Sequence, residues 1–244
     1  MTRNRFLKTA GIVTTFTAII LAGMMSKSKH VIARDDDGDE SKIQRGFETV
    51  PIGLQLNLDG KNRALVGLGS YIVNAIGDCN GCHSKGPSSE FVVPGGNPYF
   101  RMPPFTGTEQ INLKTYLAGG RDFGPFGPVG PIPQIPHLYS RNLTPDKTGL
   151  PAGGRSYEQF VEIMRQGTDF DHLHPNCIGP GNPLNPPNCL AAPFNGDLLQ
   201  VMRWPSFKSM TDHELRAIYE YLSAVPCNPG PGISGADYLQ NECE

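Results

Sequence analysis

Cys79-Asn80-Gly81-Cys82-His83 decides the reading of this chain, because two thiols three positions apart followed at once by an imidazole form the attachment signature of a c-type haem. On this spacing both sulfurs sit on one turn of backbone. Each can form a thioether to a haem vinyl group, and His83 falls under the ring to ligate iron. A zinc site would ask for a second Cys or His pair at knuckle spacing, and the sequence holds no such close pair. A thioredoxin-type redox pair would follow a strand in a βαβ pattern, whereas a helical pattern leads into Cys79. The expected cofactor is one covalently held haem c.

Upstream, Leu65, Leu68, Gly69 and Ile72 recur at helical spacing, which predicts a helix from Arg63 to about Ala75, stopped by Gly77. Gly67 and Gly69 each cost about 1 kcal/mol of helix propensity relative to Ala. A close helix crossing that needs bare backbone would compensate. Downstream, residues 84–155 are dense in Gly and Pro: Pro103-Pro104, Gly119-Gly120 and the run from Gly124 to Pro136 rule out long helices and central strands. Loops are expected there, with one short helix near Leu113 to Leu117.

Ser156 followed by Gln159 makes a capping box, and Tyr157, Phe160, Val161 and Met164 then repeat at helical spacing up to Gly167. A second box, Thr211 with Glu214, opens the last helix. Leu215, Ile218, Tyr219 and Leu222 form its apolar stripe, and Pro226 closes it. Gly (29) and Pro (23) make up about a fifth of the 244 residues, against about an eighth in average usage, so loops carry much of the chain.

Residues 1–33 pair Arg3, Arg5 and Lys8 with an apolar run from about Ile12 to Met25. This is an export signal, or an anchor through residues 9–25, since the Ser26-Lys27-Ser28-Lys29-His30 stretch suits either. The expected location is periplasmic or exported, with membrane contact only through that anchor. Removing 1–33 takes away five of 21 basic residues and none of 23 acidic ones, leaving a net charge near −7. Such a balance argues against nucleic acid as a target and suits a basic docking face on a redox partner. Residues 34–62 begin with Arg34-Asp35-Asp36-Asp37-Gly38-Asp39-Glu40, whose carboxylates miss the alternation of a calcium loop. They are read as an acidic tether, and 63–244 as a single haem domain.

Four cysteines lie outside the haem motif. Three pairings are open, and Cys177 with Cys189 and Cys227 with Cys243 are favoured because each closes a short Pro/Gly-rich loop.

With the haem motif behind a first helix and a Met-containing loop before a final amphipathic one, the chain resembles the class I cytochrome c fold over residues 63–83 and roughly 199–226. Asn142-Leu143-Thr144-Pro145-Asp146, Thr148-Gly149, Phe160, Met164-Arg165 and Gly167-Thr168-Asp169 are similar to haem units in the cytochrome subunits of periplasmic dehydrogenases. Those subunits usually carry several haems, and this chain has one motif. The resemblance implies a mainly α fold with long Pro/Gly-rich loop insertions around one haem. It implies a helix crossing of Gly67 or Gly69 against Tyr219 or Leu222, and a second iron ligand at Met202, in Met202-Arg203-Trp204-Pro205, where Arg203 replaces the usual proline.

Rivals for that sixth position are weaker. Met102 has no capped helix behind it, Met164 lies on an apolar stripe, Met210 suits a staple before the Thr211 cap, and His137, His172, His174 and His213 fall in polar or loop contexts. A His/Met pair raises the potential relative to His/His and leaves iron no vacant site. The expected activity is therefore single-electron transfer with redox protein partners, a periplasmic or membrane dehydrogenase or an oxidase, by a carrier or carrier subunit that is not itself a catalyst. A peroxidase-like haem enzyme and a gas-binding sensor remain the alternatives; both need an open or displaceable sixth ligand.

Overall fold

Among the described residues, six helical segments besides the single turn Pro151–Gly154 make up the frame that includes the haem motif. The computed structural model describes residues 36–93, 95–100, 102–103, 107–125, 137–171, 182–185, 189–190, 194–233 and 239–244. The chain divides into two units, residues 1–37 and 38–244. The helices are α1 (Asp36–Glu48), α2 (Arg63–Ser70), α3 (Cys79–His83), α4 (Tyr157–Gln166), α5 (Trp204–Phe207) and α6 (Asp212–Ala224), and α2 runs on as a wider π-helical turn, Tyr71–Ile76. Among the described residues there is no strand, only isolated bridges such as Phe91 with Ile111 and Thr168 with Leu198. The fold is mainly α. No helix of the described residues is long and apolar enough to cross a membrane; residues 9–25 lie outside them.

The caps explain where the helices start. Asn62 accepts hydrogen bonds from the N–H groups of Ala64 and Leu65, and the Ser156/Gln159 and Thr211/Glu214 boxes are both closed on each side. Each such cap contributes about 1 kcal/mol. Gly167 ends α4 in the left-handed conformation, φ 75°, and carries Trp204 against its bare Cα, where an added Cβ would lie 2.4 Å from the indole.

The core is the crossing of α2 and α6. At Gly69 a Cβ would stand 1.9 Å from the carbonyl oxygen of Ala217 and 2.8 Å from Cβ of Tyr221. The glycine expected at a crossing is therefore there, but its partners are Ala217 and Tyr221, on a different face of the same turns from the expected Tyr219 or Leu222. Tyr219 instead packs edge-on against Tyr157, ring centroids 5.3 Å apart, and donates its hydroxyl to the Arg155 carbonyl at 2.9 Å.

Gly67 serves a different contact. A Cβ there would meet the Phe47 ring at 2.7 Å and the Ile43 carbonyl oxygen at 2.8 Å, both on α1. Within the expected tether, Asp36–Glu48 is instead a helix: Ile43, Gly46 and Phe47 make an apolar edge that docks α1 on α2. The segment 113–117 also differs from expectation, forming turns in place of a helix, with Leu117 at φ 55°.

Two polar networks pin the frame. The buried hydroxyls of Tyr116 and Tyr221 lie 2.7 Å apart; Tyr116 donates to Asn74 Oδ1 at 2.6 Å, and Asn74 Nδ2 donates to Ser70 Oγ at 3.0 Å. At the other end, the chain's C-terminal residues clasp the 142–146 loop. Asn241 Nδ2 donates to the carbonyls of Thr144 and Pro145, at 2.9 and 3.2 Å, and Asn142 Nδ2 donates to the Asn228 carbonyl at 2.9 Å. Cys227 and Cys243 close this clasp as a disulfide, S–S 2.04 Å, as favoured from their spacing. The other favoured pair includes Cys177, which lies outside the described residues.

Gly69→Ala should lower stability by about 1–3 kcal/mol, because the two backbones must separate to admit the methyl group; a shifted denaturation midpoint at constant slope checks it. Peptide mapping should find Cys227 joined to Cys243, and Cys243→Ser should cost about 3 kcal/mol for a loop of this length.

Candidate functional site

α3 is a single turn that begins from a left-handed Asp78, φ 43°, a conformation that Asp tolerates better than most residues. Gly81 sits between the two thiols with its bare Cα facing the Asp78 carboxylate; a Cβ would lie 2.6 Å from Oδ2. The turn is gripped by backbone from two extended segments. Gly119 N–H donates to the His83 carbonyl at 2.7 Å and Leu143 N–H to the Leu117 carbonyl at 2.8 Å. Leu117 N–H donates to Asn80 Oδ1 at 2.9 Å, and the Arg121 guanidinium donates to the Gly81 carbonyl. The Gly119-Gly120 pair that reads as a loop breaker is one half of this grip, since a Cβ on Gly119 would strike the Arg141 backbone at 2.6 Å.

The second half sets the histidine. His83 Nδ1 lies 2.8 Å from the Arg141 carbonyl oxygen. A carbonyl can only accept, so Nδ1 carries the proton and Nε2 keeps its lone pair, the form required of a metal ligand. Burial holds the imidazole below its ordinary pKa, with the Arg141 charge adding to the effect, so the ring is neutral. Such a bond from the remote nitrogen to a carbonyl is how metal-ligating histidines are oriented.

One cleft collects the site. Cys79, Cys82, His83 and Met202 all line it, and Ile72, Val73, Phe160 and Leu222 give it apolar walls. Both thiols are free. Burial, followed by the Asp78 carboxylate and Cys82, pushes the Cys79 thiol up to about 12. A thiol held protonated in this way is a poor match for a reactive redox pair. A neutral imidazole with an available Nε2, two uncommitted sulfurs and an apolar wall fit the demands of a covalently attached haem.

Other ligand candidates sort by position. Met164 and Met210 also border the cleft, so three methionines face it; Met102 does not, and is 78% exposed. His137 pairs with Asp122 at 2.6 Å, exposed and away from the cleft, and His213 lines a separate groove. His172 and His174 lie outside the described residues. Met202 is half-buried on a loop held by Trp204, whose Nε1 donates to the Leu199 carbonyl at 3.1 Å.

Sequence reasoning gave no role to the residue that holds His83. Every residue has a carbonyl, so nothing in the side chain of Arg141 announces that its backbone faces the imidazole. Its guanidinium is committed as well: Nη2 donates to both oxygens of Asp169, at 3.0 Å each, and Nε to Asp171 at 3.0 Å. Asp171 is shared with Arg155.

No family model matches the chain, and no solved structure does. The gluconate 2-dehydrogenase cytochrome c subunit of Pantoea cypripedii is 30% identical over 165 residues, 67% of this chain and 24% of that protein. This chain therefore spans about a quarter of the relative's length. The match is partial, and it supports a cytochrome c-like protein in which haem c and electron transfer go together.

Proposed function

We propose that this chain is a c-type cytochrome that passes single electrons between exported or membrane redox partners through one haem. Cys79 and Cys82 hold the haem by thioethers, and His83 and Met202 ligate its iron. Residues 1–33 act as export signal or anchor, and the haem domain includes 63–244. The observation that carries this reading is the convergence on one cleft of a neutral imidazole with its Nδ1 committed, two free thiols and a thioether.

Haem bound there supplies a one-electron ferric/ferrous couple whose potential its axial ligands set. The chain's own contribution is geometry and environment. The Arg141 carbonyl keeps the His83 lone pair available. The apolar walls would limit water around a bound haem, and the Met202 thioether would serve as the second protein ligand, leaving substrate no place on the metal. That is the chemistry of a carrier. The likeness to a dehydrogenase cytochrome subunit supports a dehydrogenase as donor, and a mature charge near −7 supports a basic docking face with salt-sensitive association.

The purified holoprotein should show covalent haem, a near-infrared band of sulfur ligation, and no rapid binding of carbon monoxide when reduced. Met202→Ala should abolish that band and lower the potential, while Met102→Ala and Met164→Ala leave both unchanged. Rapid carbon monoxide binding by the unaltered protein would overturn the carrier reading, and an unchanged Met202→Ala spectrum would pass the ligand role to another side chain.

A further inference from the structure

Asp169 is 1% exposed and meets Arg141 at 3.0 Å, while the Arg141 side chain is itself 18% exposed. Desolvating two charges offsets most of what their attraction returns, and well-packed apolar replacements are often as stable. Stability is thus a poor account of why a carboxylate is buried here. Position is a better one. The guanidinium donates from Nη2 to both oxygens of Asp169 and from Nε to Asp171, and the backbone carbonyl of that same arginine accepts the His83 Nδ1 proton.

The other side of the ion pair is anchored too. Asp169 N–H donates to the Asp197 carbonyl at 2.8 Å, and Leu199 N–H to the Gly167 carbonyl at 2.8 Å. Residues 197–199 lead directly into Met202. One buried pair therefore joins the acceptor that orients His83 to the segment that carries Met202, across the cleft that both residues line.

We infer that Asp169 is a positioning residue for the iron ligand His83, acting through Arg141, whose carbonyl it holds against the Nδ1 proton. The inference rests on the haem reading above. A well-held Nδ1–H···O bond makes the imidazole a stronger donor to iron, which favours the ferric state and lowers the potential. Loosening the carbonyl weakens the bond and raises the potential.

Charge alone would produce a different pattern, and the signs separate the two. Asp169→Asn removes a negative charge near the iron, so it raises the potential under either account. Arg141→Gln removes a positive charge and would lower the potential if charge alone acted, whereas loss of positioning raises it. Arg141→Lys keeps the charge but loses the planar group that bonds Asp169 through Nη2 and Asp171 through Nε at once; charge alone leaves the potential where it was, and loss of positioning raises it.

The experiment is redox titration of the holoprotein of all three variants, with nuclear magnetic resonance measurement of His83 Nδ1 proton exchange in the ferrous state. The expected result is a raised potential and faster proton exchange in Asp169→Asn, Arg141→Gln and Arg141→Lys, with the His/Met spectrum retained. A lowered potential in Arg141→Gln together with an unshifted Arg141→Lys would overturn the inference, as would unchanged proton exchange. If Arg141→Gln fails to incorporate haem, Arg141→Lys alone decides by the same two readouts. Failure of the underlying reading is seen first and separately, as absence of covalent haem or of histidine ligation in the unaltered protein.

Discussion

An imidazole presents a lone pair to a metal from a fixed direction only while its other nitrogen has somewhere to put its proton, and in this chain that place is the Arg141 carbonyl. The bond is 2.8 Å long and joins residues 58 positions apart, so its existence depends on everything that brings the 139–143 segment beside α3. Gly119 and Gly120 do this by bridging the two: Gly119 donates to the His83 carbonyl and Gly120 to that of Ser140, at 2.7 and 2.8 Å. The clasp of Asn241 and Asn228 on Thr144 holds the same segment from its far side. A Pro/Gly-rich chain with little regular structure orders its site by local backbone pairing. Side-chain burial supplies the helical frame behind it.

That frame is tight because it is bare. Gly69 lets α2 and α6 approach to backbone contact, and Gly67 with Gly46 does the same for α1 and α2. Three helices thus stack through glycines, each costing helix propensity and returning dispersion contact over a longer interface. The turn that carries the two thiols follows directly from α2 through the π-helical stretch Tyr71–Ile76. Any slippage of that crossing would move Cys79 and His83 together relative to Met202, which rides on the loop before α6.

Much of this was legible in residues, and the reason differs by element. The starts of α4 and α6 were readable because a capping box is a local device: Ser156 with Gln159 and Thr211 with Glu214 contain their own partners. Cys227 with Cys243 was readable because short loops limit the choice. The crossing was half readable: a pair of glycines on an apolar stripe announces a close approach, but which face of the partner they meet depends on helix rotation, and Ala217 with Tyr221 carry no mark that separates them from Tyr219 and Leu222. α1 was missed because its opening carboxylates outweigh the apolar positions Ile43 and Phe47 at helical spacing. The turn at 113–117 was misread as a helix because its leucines mimic one, while Leu117 takes a left-handed conformation.

The ion pair beside the site shows why such positions stay hidden from sequence. Asp169 stands in a Gly-Thr-Asp stretch whose polarity reads as surface, yet it is among the most enclosed side chains described, at 1% exposure. What encloses it is non-local: Arg141 comes from a segment 28 residues earlier, and the backbone that fixes Asp169 comes from Asp197, 28 residues later. A redox centre that must return to the same geometry after each electron gains from ligands whose supports are rigid and shared. The Arg141 guanidinium is well suited to that duty, because Nη2 on Asp169 and Nε on Asp171 hold the planar group at two points, which resists rotation as well as separation. The cost of burying the charges is then the cost of holding the segment that faces His83 and the segment that leads to Met202 to one another, a constraint that an apolar contact of equal stability would impose less sharply.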